Sequence, residues 1–172
     1  YGIILEGDIS MVRLCLGDPP GAIKGLIYRN GGKIITNEFE SFVSNLDDLP
    51  FPKFEAFELN KYPLKQICIV TSRGCPYSCI YCSVGASIGK NFRTKSGENV
   101  VAEIEHWYNQ GYKNIFILDD NFTLVYERVA QICDLLIKKN LKYLHLRNPA
   151  GLRADRVDRK LLEALKKSGF DM

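Results

Sequence analysis

Cys75, Cys79 and Cys82 lie within eight residues of one another, in the run Arg73-Gly74-Cys75-Pro76-Tyr77-Ser78-Cys79-Ile80-Tyr81-Cys82. The spacing is Cys-x3-Cys-x2-Cys, which puts three thiols on one loop. Three thiolates this close can grip three irons of a cubane 4Fe-4S cluster, whereas all-cysteine clusters ordinarily take four cysteine ligands. No fourth cysteine follows nearby. One iron would therefore keep an open position, available to a substrate or cofactor in the way that catalytic zinc keeps a free site. Two other chemistries compete. Zinc could use three cysteines and a fourth ligand, but zinc modules pair their ligand clusters at a distance, and neither His106 nor His145 stands in such a pair. A redox disulfide would use Cys-x2-Cys on a thioredoxin-like unit, which leaves Cys75 without a role.

The loop needs elements to hold it. Gln66–Thr71 (QICIVT) is an apolar, β-branched run suited to a buried parallel strand, and the cysteines follow at once. Ser96 is placed to cap a helix over about 97–110, with Val100, Val101, Ile104, Trp107 and Tyr108 on its apolar face and Gly111 at its end. Asn114–Leu118 (NIFIL) predicts a second strand, closing in Asp119-Asp120-Asn121. A helix over about 124–139 follows, with Val125, Val129, Ile132 and Leu136 facing inward. Tyr143–Leu146 predicts a third strand, and Val157, Leu161, Ala164, Leu165 and Ser168 the inner face of a last helix ended by Gly169. Strand and helix alternating three times predict an α/β domain with a parallel sheet. Catalytic groups in such folds gather at the C-terminal strand ends, where both the cysteine run and Asp-Asp-Asn fall.

The first fifty residues have a different rhythm. Gly2–Leu5 predicts a short strand, and residues 9–16 have helical spacing with Asp8 as the cap. Segments GLIYR and KIIT flank Asn30-Gly31-Gly32 and predict a hairpin. Pro50, Pro52 and Pro63 mark an extended connector. The chain has 172 residues, room for one domain or two partial ones, with 46% hydrophobic and 25% charged residues, which argues against disorder. The net charge of +3 is spread along the chain and gives no reason to expect nucleic acid as a partner. No apolar run approaches the ~18 residues that a membrane helix needs. Three clustered thiols beside the isolated Cys15, Cys68 and Cys133, which are expected in the core, fit a reduced cytoplasmic protein rather than a disulfide framework. His106 is expected on the exposed face of its helix, and His145 packed in the core.

The cysteine motif, with aromatic Tyr81 just before its last cysteine and its place after the first strand of a β/α domain, resembles the signature of the radical S-adenosylmethionine (SAM) superfamily. The resemblance covers about residues 64–172. It implies the first half of a partial (β/α)6 barrel, with Cys75, Cys79 and Cys82 as metal ligands. It implies that SAM chelates the open iron and takes one electron from the reduced cluster. Cleavage would give methionine and a 5′-deoxyadenosyl radical that abstracts hydrogen from a small-molecule substrate. The protein would hold and shield these cofactors. It further implies a reductant such as ferredoxin or flavodoxin, and an adenine site near Tyr81. The family commonly has Gly-Gly-Glu at the second strand end. Leu118-Asp119-Asp120-Asn121-Phe122 departs from it and is similar to the Asp-Asp-x-Phe variant of cobalamin-linked members. Asp120 and Asn121 are the residues carried over to the SAM amino group, a capping role for Asn121 or Thr123 being the alternative. Arg153 is a candidate for the SAM carboxylate. Arg93 also matches a position in the cobalamin-linked group.

Residues 1–50, followed by the connector at 51–63, resemble the C-terminal tail of a Rossmann-like cobalamin-binding domain. That arrangement is similar to radical SAM methyltransferases and to the anaerobic oxidative cyclase of Mg-protoporphyrin monomethyl ester, which extends the expected substrates to a tetrapyrrole. The Asp-x-His-x-x-Gly motif of classical cobalamin sites is absent here. Three β/α units where the family usually has six predict a fragment that is inactive alone and that self-associates through its open sheet edge. The alternative to an enzyme is a non-catalytic iron–sulfur or zinc module with an electron-transfer or structural role.

Overall fold

The computed structural model describes residues 1–39, 42–54 and 57–171. Strands β4 (Gln66–Ile69), β7 (Asn114–Ile117) and β8 (His145–Arg147) form a parallel sheet in the order β4-β7-β8, with Cys68 opposite Phe116 and Phe116 opposite Arg147. Between them run α3 (Gly97–Asn109) and α4 (Tyr126–Lys139), and α5 (Arg159–Lys167) follows β8. The three helices pack side by side, α3 on α4 and α4 on α5. Their apolar stripes meet the alternate strand residues Ile67, Ile69, Ile115, Ile117 and Leu146, all buried. This is the α/β architecture expected from the alternation of strand and helix.

The signals that start and stop the helices are local. Ser96 Oγ accepts the amide of Asn99 at 3.1 Å and starts α3, and Asp158 Oδ1 accepts that of Leu161 at 2.7 Å and starts α5. Gly111 and Gly169, at φ of +87° and +105°, supply the left-handed residue after α3 and α5 that an L side chain resists. Past α5 the chain returns to this sheet: Phe170 forms an isolated parallel bridge with Leu146, and the amides of Leu146 and Asp171 bond the carbonyls of Gly169 and Leu146.

Several sequence expectations give way. Helix α4 begins at Tyr126, so Val125 precedes it and is exposed rather than inward-facing. Strand β8 begins at His145, which lies exposed and pairs with Asp171 at 3.3 Å instead of packing in the core. Cys15 is exposed, because α1 (Asp8–Cys15) buries little beyond Ser10, whereas Cys133 is in the core as expected. His106 is exposed as expected. The apolar run of β4 has only one covered face among the described residues. Cys68 and Phe116 are half-buried, and Val70 and Leu118 are exposed on the other.

The first fifty residues form a separate antiparallel sheet of β1 (Gly2–Ile3), β2 (Leu26–Asn30) and β3 (Lys33–Thr36), with α1 between β1 and β2. The hairpin turn is Gly31-Gly32, at φ of +51° and +81°, so the glycines rather than Asn30 take the left-handed positions of a two-residue primed turn. The proline-marked connector is irregular, with 3-10 turns at Leu46–Asp48 and Leu59–Lys61. It is nevertheless docked: Leu46 is buried, Phe54 packs on Trp107 with ring centroids 5.3 Å apart, and an Asp47 carboxylate oxygen accepts the Ser96 amide at 2.9 Å.

Candidate metal centre and its anchors

The cysteine loop leaves the sheet just past the C-terminal end of β4. A two-residue antiparallel ribbon, β5 (Ser72–Arg73) with β6 (Arg93–Thr94), pinches its two ends together. The Cys75 amide donates to the Gly89 carbonyl at 3.1 Å. Gly74 sits between β5 and the first ligand at φ +84°, where an added Cβ would lie 2.2 Å from the Asn91 carbonyl oxygen. Only glycine fits there. A one-turn helix, α2 (Val84–Ser87), follows Cys82.

Cys75, Cys79 and Cys82 line one cavity of about 250 Å³, together with Tyr77, Ser78 and Lys90. All three thiols are free. Among the described residues no three His, Cys, Asp or Glu side chains converge on a point that a single ion would occupy. The donor set is three thiolates and no fourth, so the residues present fit a 4Fe-4S cluster with one open iron.

The end of β7 supplies the support. Asp119 is 0% exposed and accepts three hydrogen bonds of 2.6 Å, from the Thr71 amide, Thr71 Oγ1 and Ser72 Oγ. It thereby fixes the two residues at which the chain turns into the cysteine loop. Buried Arg128, from α4, donates to the Thr71 carbonyl at 2.9 Å, to Thr71 Oγ1 at 2.8 Å and to the Lys95 carbonyl at 2.8 Å. Burial lowers its pKa, a cost that the nearby Asp119 charge opposes. Below it, Lys95 and Glu103 form a buried ion pair at 2.6 Å.

The residues carried over from the family resemblance have separate fates. Asn121 is buried, its Nδ2 lies 3.9 Å from Cys75 Sγ, and its Oδ1 has no hydrogen-bond partner. Neither it nor Thr123 caps α4, which starts later. Asp120 is exposed, and its carboxyl pKa is raised, first by partial burial and then by the charge of Asp119. Tyr81 is 89% exposed. Arg153 comes to the cysteine loop through Tyr77, its guanidinium 3.8 Å from the Tyr77 ring centre, while Arg156 donates to Tyr77 Oη at 2.9 Å. Arg153 is also paired with Asp155 at 3.0 Å, which raises its pKa.

Sequence reasoning missed three groups. Asp119 carried a signal, a carboxylate one residue past an apolar strand, although it is its neighbour Asp120 that matches the family pattern. Tyr77 carried one too, an aromatic inside the Cys-x3-Cys interval. The acids Glu6 and Asp8 carried none. Arg93 bonds Glu6 in two places, at 2.6 and 2.9 Å, and Arg73 bonds Asp8 at 2.7 and 3.2 Å, across separations of 87 and 65 residues that no local pattern encodes.

The chain is 34% identical over 173 residues to an uncharacterized methyltransferase of Pyrococcus horikoshii, covering 95% of this chain and 37% of that one. It is 27% identical to the cobalamin-dependent radical SAM methyltransferase TokK of Streptomyces tokunonensis, over 70% of this chain and 19% of that one. Its fold superposes on the radical SAM methyltransferase TsrM of Kitasatospora setae, solved with cobalamin and a 4Fe-4S cluster bound, with a TM-score of 0.79 at 18% identity, covering 99% of this chain and 37% of TsrM. The chain thus spans little more than a third of the Pyrococcus relative and of TsrM. The family model of the radical SAM superfamily matches residues 69–172, which include all three clustered cysteines and the Asp119-Asp120-Asn121 strand end, and the chain belongs to that superfamily.

Proposed function

We propose that the intact protein is a cobalamin-dependent radical SAM methyltransferase acting on a small organic substrate. The carrying observation is the shared cavity of Cys75, Cys79 and Cys82 at the C-terminal end of β4, three thiols without a fourth. These residues would hold a 4Fe-4S cluster. When bound, such a cluster supplies one electron to SAM and so opens radical chemistry at unactivated carbon. The chain's own residues bind and orient. Asp119 and Arg128 fix the start of the cysteine loop, and Asn121 presents its amide to Cys75 Sγ. Asp120, Tyr81 and Arg153 would contact SAM, a reading supported for Arg153 by its approach to Tyr77 of the cysteine loop. Residues 1–50 are the end of a cobalamin-binding unit, 51–63 a connector, and 64–172 the first half of the barrel. The relatives named as methyltransferases favour methyl transfer over oxidative cyclisation of a tetrapyrrole. A low-potential ferredoxin or flavodoxin is the expected reductant. The free thiols suit a reducing cytoplasm, and no helix of the described residues is long and apolar enough to cross a membrane.

Anaerobic reconstitution of the intact protein tests this. We expect about four irons per chain, a broad brown absorbance and a spectral change on adding SAM. Label from methyl-labelled SAM should appear on cobalamin. Zinc without iron, or a cluster indifferent to SAM, would overturn it in favour of a structural or electron-transfer module.

A further inference from the structure

Four charged side chains tie the first sheet to the cysteine loop. Glu6 and Asp8 flank Gly7 where β1 leads into α1, Asp8 being the first residue of that helix. Arg93, in β6 at the exit of the loop, is buried and sets its fork on Glu6, with NH2 to Oε1 at 2.6 Å and NH1 to Oε2 at 2.9 Å. Arg73, in β5 at the entry, sets its fork on Asp8 at 2.7 and 3.2 Å and reaches Glu6 Oε2 at 3.3 Å. Glu6 thus touches the guanidinium at each end of the loop. Two further contacts come from the same part of the chain. Arg93 NH1 donates to the Val43 carbonyl at 2.8 Å, and the Phe42 ring lies 4.6 Å from the Arg93 guanidinium. Phe42 also fills the space beside Gly89, where an added Cβ would meet it at 2.8 Å, and Gly89 is the residue whose carbonyl holds the Cys75 amide.

A planar guanidinium bound by two parallel hydrogen bonds resists rotation as well as separation, so paired forks fix orientation better than point charges would. The ribbon of β5 and β6 has only two residues on each side, too short to hold a loop of this length by its own ladder. We propose that Glu6 and Asp8 are positioning residues for the cysteine loop. They hold its entry and exit arginines together, so that the segment before residue 50 sets the geometry in which Cys75, Cys79 and Cys82 receive their metal. The inference rests on the proposed cluster only for the identity of what the loop holds.

The test uses the intact protein with Glu6→Gln and Asp8→Asn. In the metal-free form, alkylation by iodoacetamide is followed peptide by peptide. Glu6→Gln should speed modification of the half-buried Cys75 and Cys79 by about tenfold, the factor expected when opening of the loop no longer breaks a charge-assisted hydrogen bond, while Cys82, already exposed, serves as the reference whose rate does not depend on opening. Cys133, fully buried in the core, should stay protected. In the reconstituted form, the variant should lose iron to a chelator faster than the parent by a similar factor. Asp8→Asn, which releases Arg73 from Asp8 and leaves the Arg93 fork in place, should show the same pattern at smaller amplitude. Unchanged loop alkylation in both variants, with Cys133 protected, overturns the proposal. If Glu6→Gln exposes Cys133, Asp8→Asn decides it by the same criterion. A parent that takes up no iron would sink the proposed function, while the alkylation comparison would still judge the clamp.

Discussion

Replacing Asp119 with Asn removes one negative charge and leaves the side-chain volume almost unchanged, so the response measures hydrogen bonding rather than a cavity. The carboxylate accepts three bonds of 2.6 Å, from one backbone amide and two hydroxyls, at a site with no exposure. Net contributions of about 1.5–3 kcal/mol for each bond to a charged group would sum to more than the site can lose, because the three share one acceptor and Asn keeps one carbonyl oxygen. The amide end of Asn would turn two donor hydrogens toward groups that are themselves donors. Arg128, bonded to the same Thr71 hydroxyl, would be left buried with its nearest opposing charge gone. Removing one partner from a buried charge network typically costs about 3–5 kcal/mol, and that is the expected loss here. For a chain of this length it corresponds to a fall of roughly 6–20 °C in Tm. Trp107 is the sole tryptophan and is 2% exposed, so its fluorescence in a urea titration reports the unfolding directly. Asp120→Asn is the paired control. Its carboxyl is exposed and its pKa is raised, so removing the charge should shift stability by no more than about 0.5 kcal/mol. If Asp119→Asn stays within about 1 kcal/mol of the parent, Asp119 does not hold the strand end and the account of how the loop is anchored fails.

Gly74→Ala should abolish iron loading while leaving Cys133 protected, because the new methyl group would meet the Asn91 carbonyl at a φ that alanine resists; iron content equal to the parent would contradict this. Asn121→Ala removes an amide that approaches Cys75 Sγ, and since hydrogen bonds to a ligating sulfur favour the reduced state, the cluster potential should become more negative in a redox titration followed by EPR; an unchanged potential would place Asn121 outside the cluster's surroundings. The hydrogen bond from Arg73 lowers the Asp8 pKa below its usual 3.8. A depressed carboxyl contributes stability that is complete above the unfolded value and is lost as pH falls through the lowered one. Acid titration of the parent should therefore show a loss below about pH 4 that Asp8→Asn lacks, and identical acid limbs would refute the pairing.

What the sequence by itself determined was local. The Cys-x3-Cys-x2-Cys spacing needs no fold to state its chemistry, because three thiols on one short loop must stay near each other wherever the loop goes. Helix α3 was legible from its Ser96 cap and α5 from its apolar stripe and Gly169, since caps act within one turn and apolar stripes repeat with the helix period, while the Asp158 cap of α5 came only with the structure. Boundaries set by tertiary contacts were less so. Val125 matched the apolar period of α4, yet it stands before the helix and faces solvent, and His145 matched a core position in a strand whose outer face is uncovered. What only the tertiary structure decided was how the cysteine loop is held. Asp119 reaches back 48 residues to Thr71, and Glu6 reaches forward 87 to Arg93. Contacts over such distances leave no periodic trace, because the chain between them pays the closure entropy once and the partners are chosen by where the sheets end, not by their neighbours in sequence.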